Sequence, residues 1–399
     1  MKWIFEKRRE SLTGADVWRL SPRGTEALHP YFTQNQFSAD GRFLALSVRE
    51  AGQWRPRLLD LMTGDVEPLA CPAGVGVGNL CLDGATRAAY FFCGWALYRS
   101  APGGEAAELW RCPDGFAPGA IGISSCGRCV VFSYVEALAA STATSRIYSD
   151  QQERMFQRPR SVVMRYDAQA GRAEALHGEM AWISHVLVNP RDPDEAVFCH
   201  EGPWERVQRL WRVRWPECRA APLLVTRPGH EMAGHEYFTA AGRVMVQYAQ
   251  VDPPYTGRRT AYNIELWPDG SEERRYRLPG KCPPHLQSAP SGELHVADAC
   301  HSDDGRQPPD PEAWIALVRH VEGRAEFVPL CRHGTHWRTQ ESHPHPIFTP
   351  DGGSVIFNAD DGTGAAVYRA FVPERIIWPT NAPAAVAAAP RPAAPRPQA

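Results

Sequence analysis

The chain has 399 residues, 43% of them hydrophobic, which is ample for a large core. Its formal net charge of -2 argues against nucleic acid or a charged membrane surface as the main partner, and no apolar stretch reaches membrane-spanning length. Eleven cysteines follow no regular spacing, and the first ten residues carry no apolar run of signal-peptide length, so free thiols in a reducing cytoplasm are expected.

Near the start, Asp16-Val17-Trp18-Arg19-Leu20-Ser21 has the character of a strand without a hairpin partner beside it. A repeat then runs from about residue 11 to 375, each copy a small polar turn followed by an apolar strand. The turns fall at Ser38-Ala39-Asp40-Gly41, Leu82-Asp83-Gly84, Ser125-Cys126-Gly127, Asn189-Pro190-Arg191-Asp192, Ala240-Ala241-Gly242, Pro290-Ser291-Gly292 and Pro350-Asp351-Gly352. Most copies continue into a second hairpin, of which Arg57 to Leu69 is the clearest. Two hairpins make a four-stranded antiparallel blade, so the fold class is all-β, a seven-bladed β-propeller. The last unit is one strand short, and Asp16–Ser21 is expected to close the ring by completing it. Residues 135–160 form a longer connection, expected as a loop or short helix over one face. A single domain is therefore expected over residues 1–378, followed by a Pro/Ala-rich tail at 379–399 that is expected to be disordered.

Histidines cluster ahead of the repeat turns. His29, His185, His235, His285, His343 and His345 each precede a turn by roughly five to eleven residues, where the innermost strand of a blade begins. Innermost strands line the central channel of a propeller, so these imidazoles are expected to converge at one mouth. The densest stretch is Gln340-Glu341-Ser342-His343-Pro344-His345-Pro346. On an extended segment His343 and His345 face the same side. With His285 and the Gln340 amide oxygen they make a donor set for a borderline divalent ion that leaves coordination positions open.

These segments, with Phe198-Cys199-His200-Glu201-Gly202-Pro203-Trp204 and Gly234-His235-Glu236-Tyr237, resemble the oligogalacturonate lyase family over most of the chain. The resemblance implies a manganese-type ion held by His285, Gln340, His343 and His345, and β-elimination of a uronate–uronate bond in short unsaturated pectin fragments such as digalacturonate. An imidazole is then the base that abstracts the C5 proton, with His235 the first choice and His200 the rival. Arg209, or failing that Arg206, is assigned to a second carboxylate, and His29 and His185 to substrate contact. Glu201 and Glu236 stand either as partners that orient imidazoles or as ordinary turn carboxylates. The expected partner is a small acidic oligosaccharide, with the chain a monomer or weak dimer. Two other readings compete: a lyase for a different uronate, and a non-catalytic propeller that scaffolds proteins or binds sugars. The absence of a G-x-S-x-G nucleophile sets aside a serine-peptidase role.

Overall fold

The computed structural model describes residues 1–142, 149–251, 259–301, 308, 310–360 and 362–378. The tail at 379–399 lies outside the described residues. Seven antiparallel blades are arranged in chain order: residues 27–68, 77–111, 116–180, 183–222, 231–277, 286–332 and 347–371. Blades 5 and 6 touch through one parallel bridge between Arg277 and Arg324.

Each of the seven polar turns joins the innermost strand of a blade to the next, and each is closed by a backbone bond across the hairpin. Gly41 shows why glycine recurs there: its φ of 70° lies in the left-handed region that other residues avoid. One residue from every turn (Ala39, Gly84, Ser125, Pro190, Ala240, Pro290 and Pro350) lines a cavity of about 410 Å³. That cavity is the mouth of the channel at the turn end of the inner strands.

The apolar core is divided into layers between neighbouring blades. Tyr90 and Phe92 of blade 2 meet Phe132 and Met164 of blade 3, and Phe198 of blade 4 meets Val131 and Val163 of blade 3. Middle strands are covered on both faces, which is why Ala89–Cys93 is apolar at every position and wholly buried. Each such aromatic contributes roughly 1.5–3 kcal/mol by leaving water.

Closure follows the expectation from the N-terminus. Asp16–Arg19 pairs with Ala365–Phe371 in the register Val17–Ala370, Trp18–Arg369 and Arg19–Tyr368, and Glu6–Arg9 adds a fifth strand outside it. Val17 and Leu20 are fully buried by this pairing. The first three residues reach the other side of the seam, where Trp3 N–H donates to Gly64 O and Lys2 bridges Asp65 of blade 1. Blade 1 departs from the pattern in one way. Its innermost strand is broken after Ala27–Leu28, and the chain rejoins the sheet only at the Phe37–Leu44 bridge. The intervening residues enter the channel: Asn35 O accepts from Leu82 N–H, and the Gln34 amide reaches Ile121 O. This plug carries Tyr31 and Phe32 to the middle of the ring.

Candidate active site

The turn-closing bonds begin at Ser38, Asp83, Ser124, Asn189, Thr239, Ala289 and Thr349. Four residues before each stand Gln34, Asn79, Ala120, His185, His235, His285 and His345. In blades 2 to 5 the inner hairpin slips register at this point, between Val77 and Leu80, Pro118 and Ile121, Ile183 and Val186, and Ala233 and Glu236. A bulge of this kind bends a strand and re-aims a side chain. In blades 6 and 7 the inner strands shrink to Leu286–Ser288 and Ile347–Phe348, so His285 and His345 precede the sheet altogether. The channel therefore carries imidazole on the blade 4–7 arc and Gln34, Asn79 and Ala120 on the opposite arc.

His285, His343 and His345 come together so that one nitrogen of each lies within 4.8 Å of the others. The Gln340 amide nitrogen lies 3.4 Å from His345 Nε2. Gln340 opens a short 3-10 turn, Gln340–Ser342, closed by reciprocal Thr339 and Ser342 hydrogen bonds, which fixes the strand-like entry of His343. Burial, followed by the neighbouring His285, lowers His343 to about 4, and burial lowers His285 to about 3. Burial, then the adjacent imidazoles, pushes His345 well below its ordinary range. All three are neutral near pH 7, the form that ligates a metal. His343 Nδ1 is buried with no hydrogen-bond partner, an orphaned lone pair or N–H in an otherwise closed cluster. Three convergent neutral imidazoles, one of them orphaned, with an amide alongside, fit a divalent cation of the manganese–zinc group.

Asp298, which sequence reasoning missed, lies beneath this cluster. It is fully buried, its Oδ2 lies 2.5 Å from His285 Nδ1, and its Oδ1 accepts the His285 backbone N–H at 2.7 Å. Burial raises its carboxyl to about 7. With His285 Nδ1–H donated to Asp298, Nε2 is the nitrogen left to face the other imidazoles.

His235 lies next to His285, their rings stacked at 4.7 Å. Its Nδ1–H donates to Pro284 O at 2.6 Å, and the Gln247 amide donates to the preceding carbonyl, Pro283 O. A carbonyl accepts only, so Nε2 carries the lone pair. Burial, then His285 and His185, pushes His235 well below the ordinary imidazole value. Trp204 meets the ring edge-on at 5.2 Å and lies against Gly234, where an added Cβ would stand 2.9 Å from Trp204 Cζ3. That position admits only glycine without displacing the indole.

His185 is held differently. Its Nδ1 is 2.9 Å from Glu236 Oε1, and Arg209 links Glu236 Oε2 (2.9 Å) to Glu201 Oε1 (3.3 Å). Arg209 and its neighbours hold both carboxyls below their usual range, Glu236 at about 2. Glu236 is thus the partner that orients an imidazole, whereas Glu201 accepts from Arg209, Ser184 and Gln151 and reaches no histidine. The His185, Cys199 and Glu236 ligand atoms also converge, but the Arg209 guanidinium already neutralises that carboxylate.

Three placements differ from the sequence expectation. Arg209 is fully buried and committed to two protein carboxylates, so it braces the site from below and has no free face for a substrate carboxylate. His200 faces blade 3, its Nε2 2.7 Å from Glu179 and its ring on Trp211, because strand alternation turns Cys199 toward His185 instead. His29 is buried with Nδ1 on Gln36 and Nε2 near Pro344 O, a strut between the plug and the histidine-rich segment and not a substrate contact. Arg206 is exposed on the loop after Trp204. In the 135–160 connection a helix, Gln151–Gln157, leans on the same loop, with Gln151 donating to Glu201 and Arg154 over Trp182.

A seven-bladed propeller whose channel brings imidazoles from four successive blades to its centre has the donor set for a divalent cation. Comparison with known proteins sharpens this. The oligogalacturonate lyase family matches residues 1–376. The oligogalacturonate lyase of Dickeya dadantii is 25% identical over 391 residues, 95% of this chain and 98% of its own length. A solved oligogalacturonate lyase in complex with manganese superposes with a TM-score of 0.79 at 25% identity, covering 94% of this chain and 97% of that one. The oligogalacturonate lyase of Vibrio parahaemolyticus shares the fold with a TM-score of 0.80 at 23% identity, covering 94% and 98% of the two chains. The chain belongs to the oligogalacturonate lyase family.

Proposed function

We propose that this protein cleaves short unsaturated oligogalacturonides, digalacturonate among them, by metal-assisted β-elimination. The observation that carries the reading is the pairing of two neutral centres: a three-imidazole cluster within 4.8 Å, and His235 stacked 4.7 Å from its nearest member with Nε2 unprotonated. The manganese in a related structure supports the choice of a divalent ion. His285, His343 and His345 would hold it, with Gln340 alongside through its amide oxygen. A cation bound there supplies Lewis-acid neutralisation of the uronate carboxylate, which acidifies the carbon next to it.

His235 accepts the C5 proton at Nε2, its other nitrogen kept protonated by Pro284 O. Phe32, edge-on to His235 and His285, and Trp204 keep the proton-transfer path dry. Asp298 keeps His285 in the tautomer that presents Nε2. The eleven unpaired thiols support a reducing compartment such as the cytoplasm. No helix among the described residues is long and apolar enough to cross a membrane.

The test is mass detection of monosaccharide products from unsaturated digalacturonate after EDTA treatment, after restoring Mn²⁺, and with His343→Ala. Metal-restored cleavage that the variant loses is the expected result. Stoichiometric metal binding without turnover would redirect the reading to another uronate. Absence of both binding and turnover would leave a non-catalytic propeller.

A further inference from the structure

We propose that His185 is the general acid of the elimination, delivering a proton from Nε2 to the leaving glycosidic oxygen, and that the cavity beyond it receives the departing sugar. The inference rests on the lyase reading above.

The order of groups around the channel matches the order of atoms in the reaction. The metal cluster is on blades 6 and 7, His235 on blade 5 and His185 on blade 4. The uronate carboxylate carbon, C5 and C4 follow one another in the same sequence. His235 and His185 are near-parallel, their planes 15° apart and their centroids 5.8 Å apart. A substrate with its carboxylate on the cluster and C5 over His235 places the bond from C4 to the leaving oxygen against His185.

The two imidazoles have opposite partners. His235 gives its Nδ1–H to a neutral carbonyl, whereas His185 Nδ1 meets the Glu236 carboxylate at 2.9 Å, nearer than the Arg209 guanidinium at 3.3 Å, so its N–H goes to the carboxylate. The groups facing His185 are Glu236 and His235 from blade 5, Arg209, Glu201 and Cys199 from blade 4, and Tyr31 from the plug. Glu201, Glu236 and Arg209 sum to one negative charge, all of it buried. His185 Nε2 has no protein partner among the described residues, and the side chain is 16% exposed. It opens on a cavity of about 340 Å³ that also involves Trp182, Ser184, Asn79 and Gln340. Trp182, with Arg154 over its ring, and Asn79, whose amide N–H donates to Gly119 O at 2.7 Å and leaves its oxygen to accept, line the space for a sugar.

In the step, the C5–H pair becomes the C4–C5 double bond and the C5 proton moves to His235 Nε2. The C4–O bond breaks onto oxygen, and that oxygen takes the His185 proton. Solvent then returns one proton to His185 and removes one from His235, so nothing is oxidised or reduced.

The experiment compares wild type, His185→Asn and His185→Gln on two substrates with Mn²⁺ present. One is unsaturated digalacturonate, and the other is 4-deoxy-4-fluorogalacturonate, whose fluoride leaves without a proton. Circular dichroism and Mn²⁺ stoichiometry establish that the variant scored is folded. The expected loss is ~10²–10⁴-fold in kcat on digalacturonate, against less than ~10-fold in fluoride release. Deuterium from D2O should also enter C5 of uncleaved digalacturonate in the variant. Equal losses on both substrates, or no loss on digalacturonate, would overturn the acid role while leaving the lyase reading intact. Failure of wild type to cleave digalacturonate would overturn the lyase reading, and this inference with it.

Discussion

Replacing Asp298 tests whether the fold holds the metal cluster in advance of the metal. Asp298 accepts two hydrogen bonds from one residue, at the His285 backbone N–H and ring Nδ1, and has no exposed surface. Asp298→Asn keeps the volume and one acceptor, but its amide NH2 cannot accept from the second donor. His285 then loses either its tautomer or its orientation. Partners of this kind are typically worth 10–100-fold in metal affinity, about 1.4–2.7 kcal/mol. Asp298→Ala leaves both donors unpaired in a buried site at about 1–3 kcal/mol each, so it should also lower the stability of the metal-free protein by roughly 2–6 kcal/mol. Calorimetric titration with Mn²⁺ reads the first effect, and urea unfolding in EDTA reads the second. A Mn²⁺ Kd within about twofold of wild type in Asp298→Asn would show that His285 needs no such brace, and the assignment would fall.

Two further outcomes follow from the buried histidines and the seam. Burial lowers His29 and His295 from 6.5 to about 4, so the unfolded chain takes up their protons first as pH falls. Their contribution is whole above pH 6.5 and is lost as pH drops toward 4, at about 2 kcal/mol per histidine between pH 7 and 5. Urea midpoints measured in EDTA should therefore fall across that window, and an unchanged midpoint would contradict the burial argument. Deleting residues 1–25 strips Val17 and Leu20 from blade 7 and the Lys2–Asp65 bridge from blade 1, exposing strand edges on both sides of the seam. The truncated protein should be insoluble or lack a cooperative melt. A cooperative, unshifted melt would mean that the ring closes by packing alone.

The fold was legible because turn chemistry is local. A hairpin tip needs small or polar residues and a positive φ whatever lies around it, so Gly41 and its counterparts announce the inner hairpins, and the unpaired strand at Asp16 announces the seam. The convergence of histidines followed from those turns, but their roles did not. Assigning a role needs the side on which a residue emerges, and in a propeller both faces of a middle strand are buried, so apolar alternation gives no sign of which way His200 or Arg209 points. The register was hidden for the same reason. A bulge leaves no residue signature of its own at Gly78-Asn79, Gly119-Ala120, Ser184-His185 and Gly234-His235, although a small residue precedes the channel position in all four. The fixed four-residue offset alone separates His185, His235, His285 and His345 from His29, which lies nine residues before its turn and serves as a strut. Asp298 was beyond reach because the second strand of blade 6 is only His295–Ala297, and no pattern extends from so short a strand to the residue just past its end. The chemistry of this site is set less by which histidines are present than by what each ring gives its second nitrogen: a carboxyl for His285, a carbonyl for His235 and a carboxylate tied to Arg209 for His185.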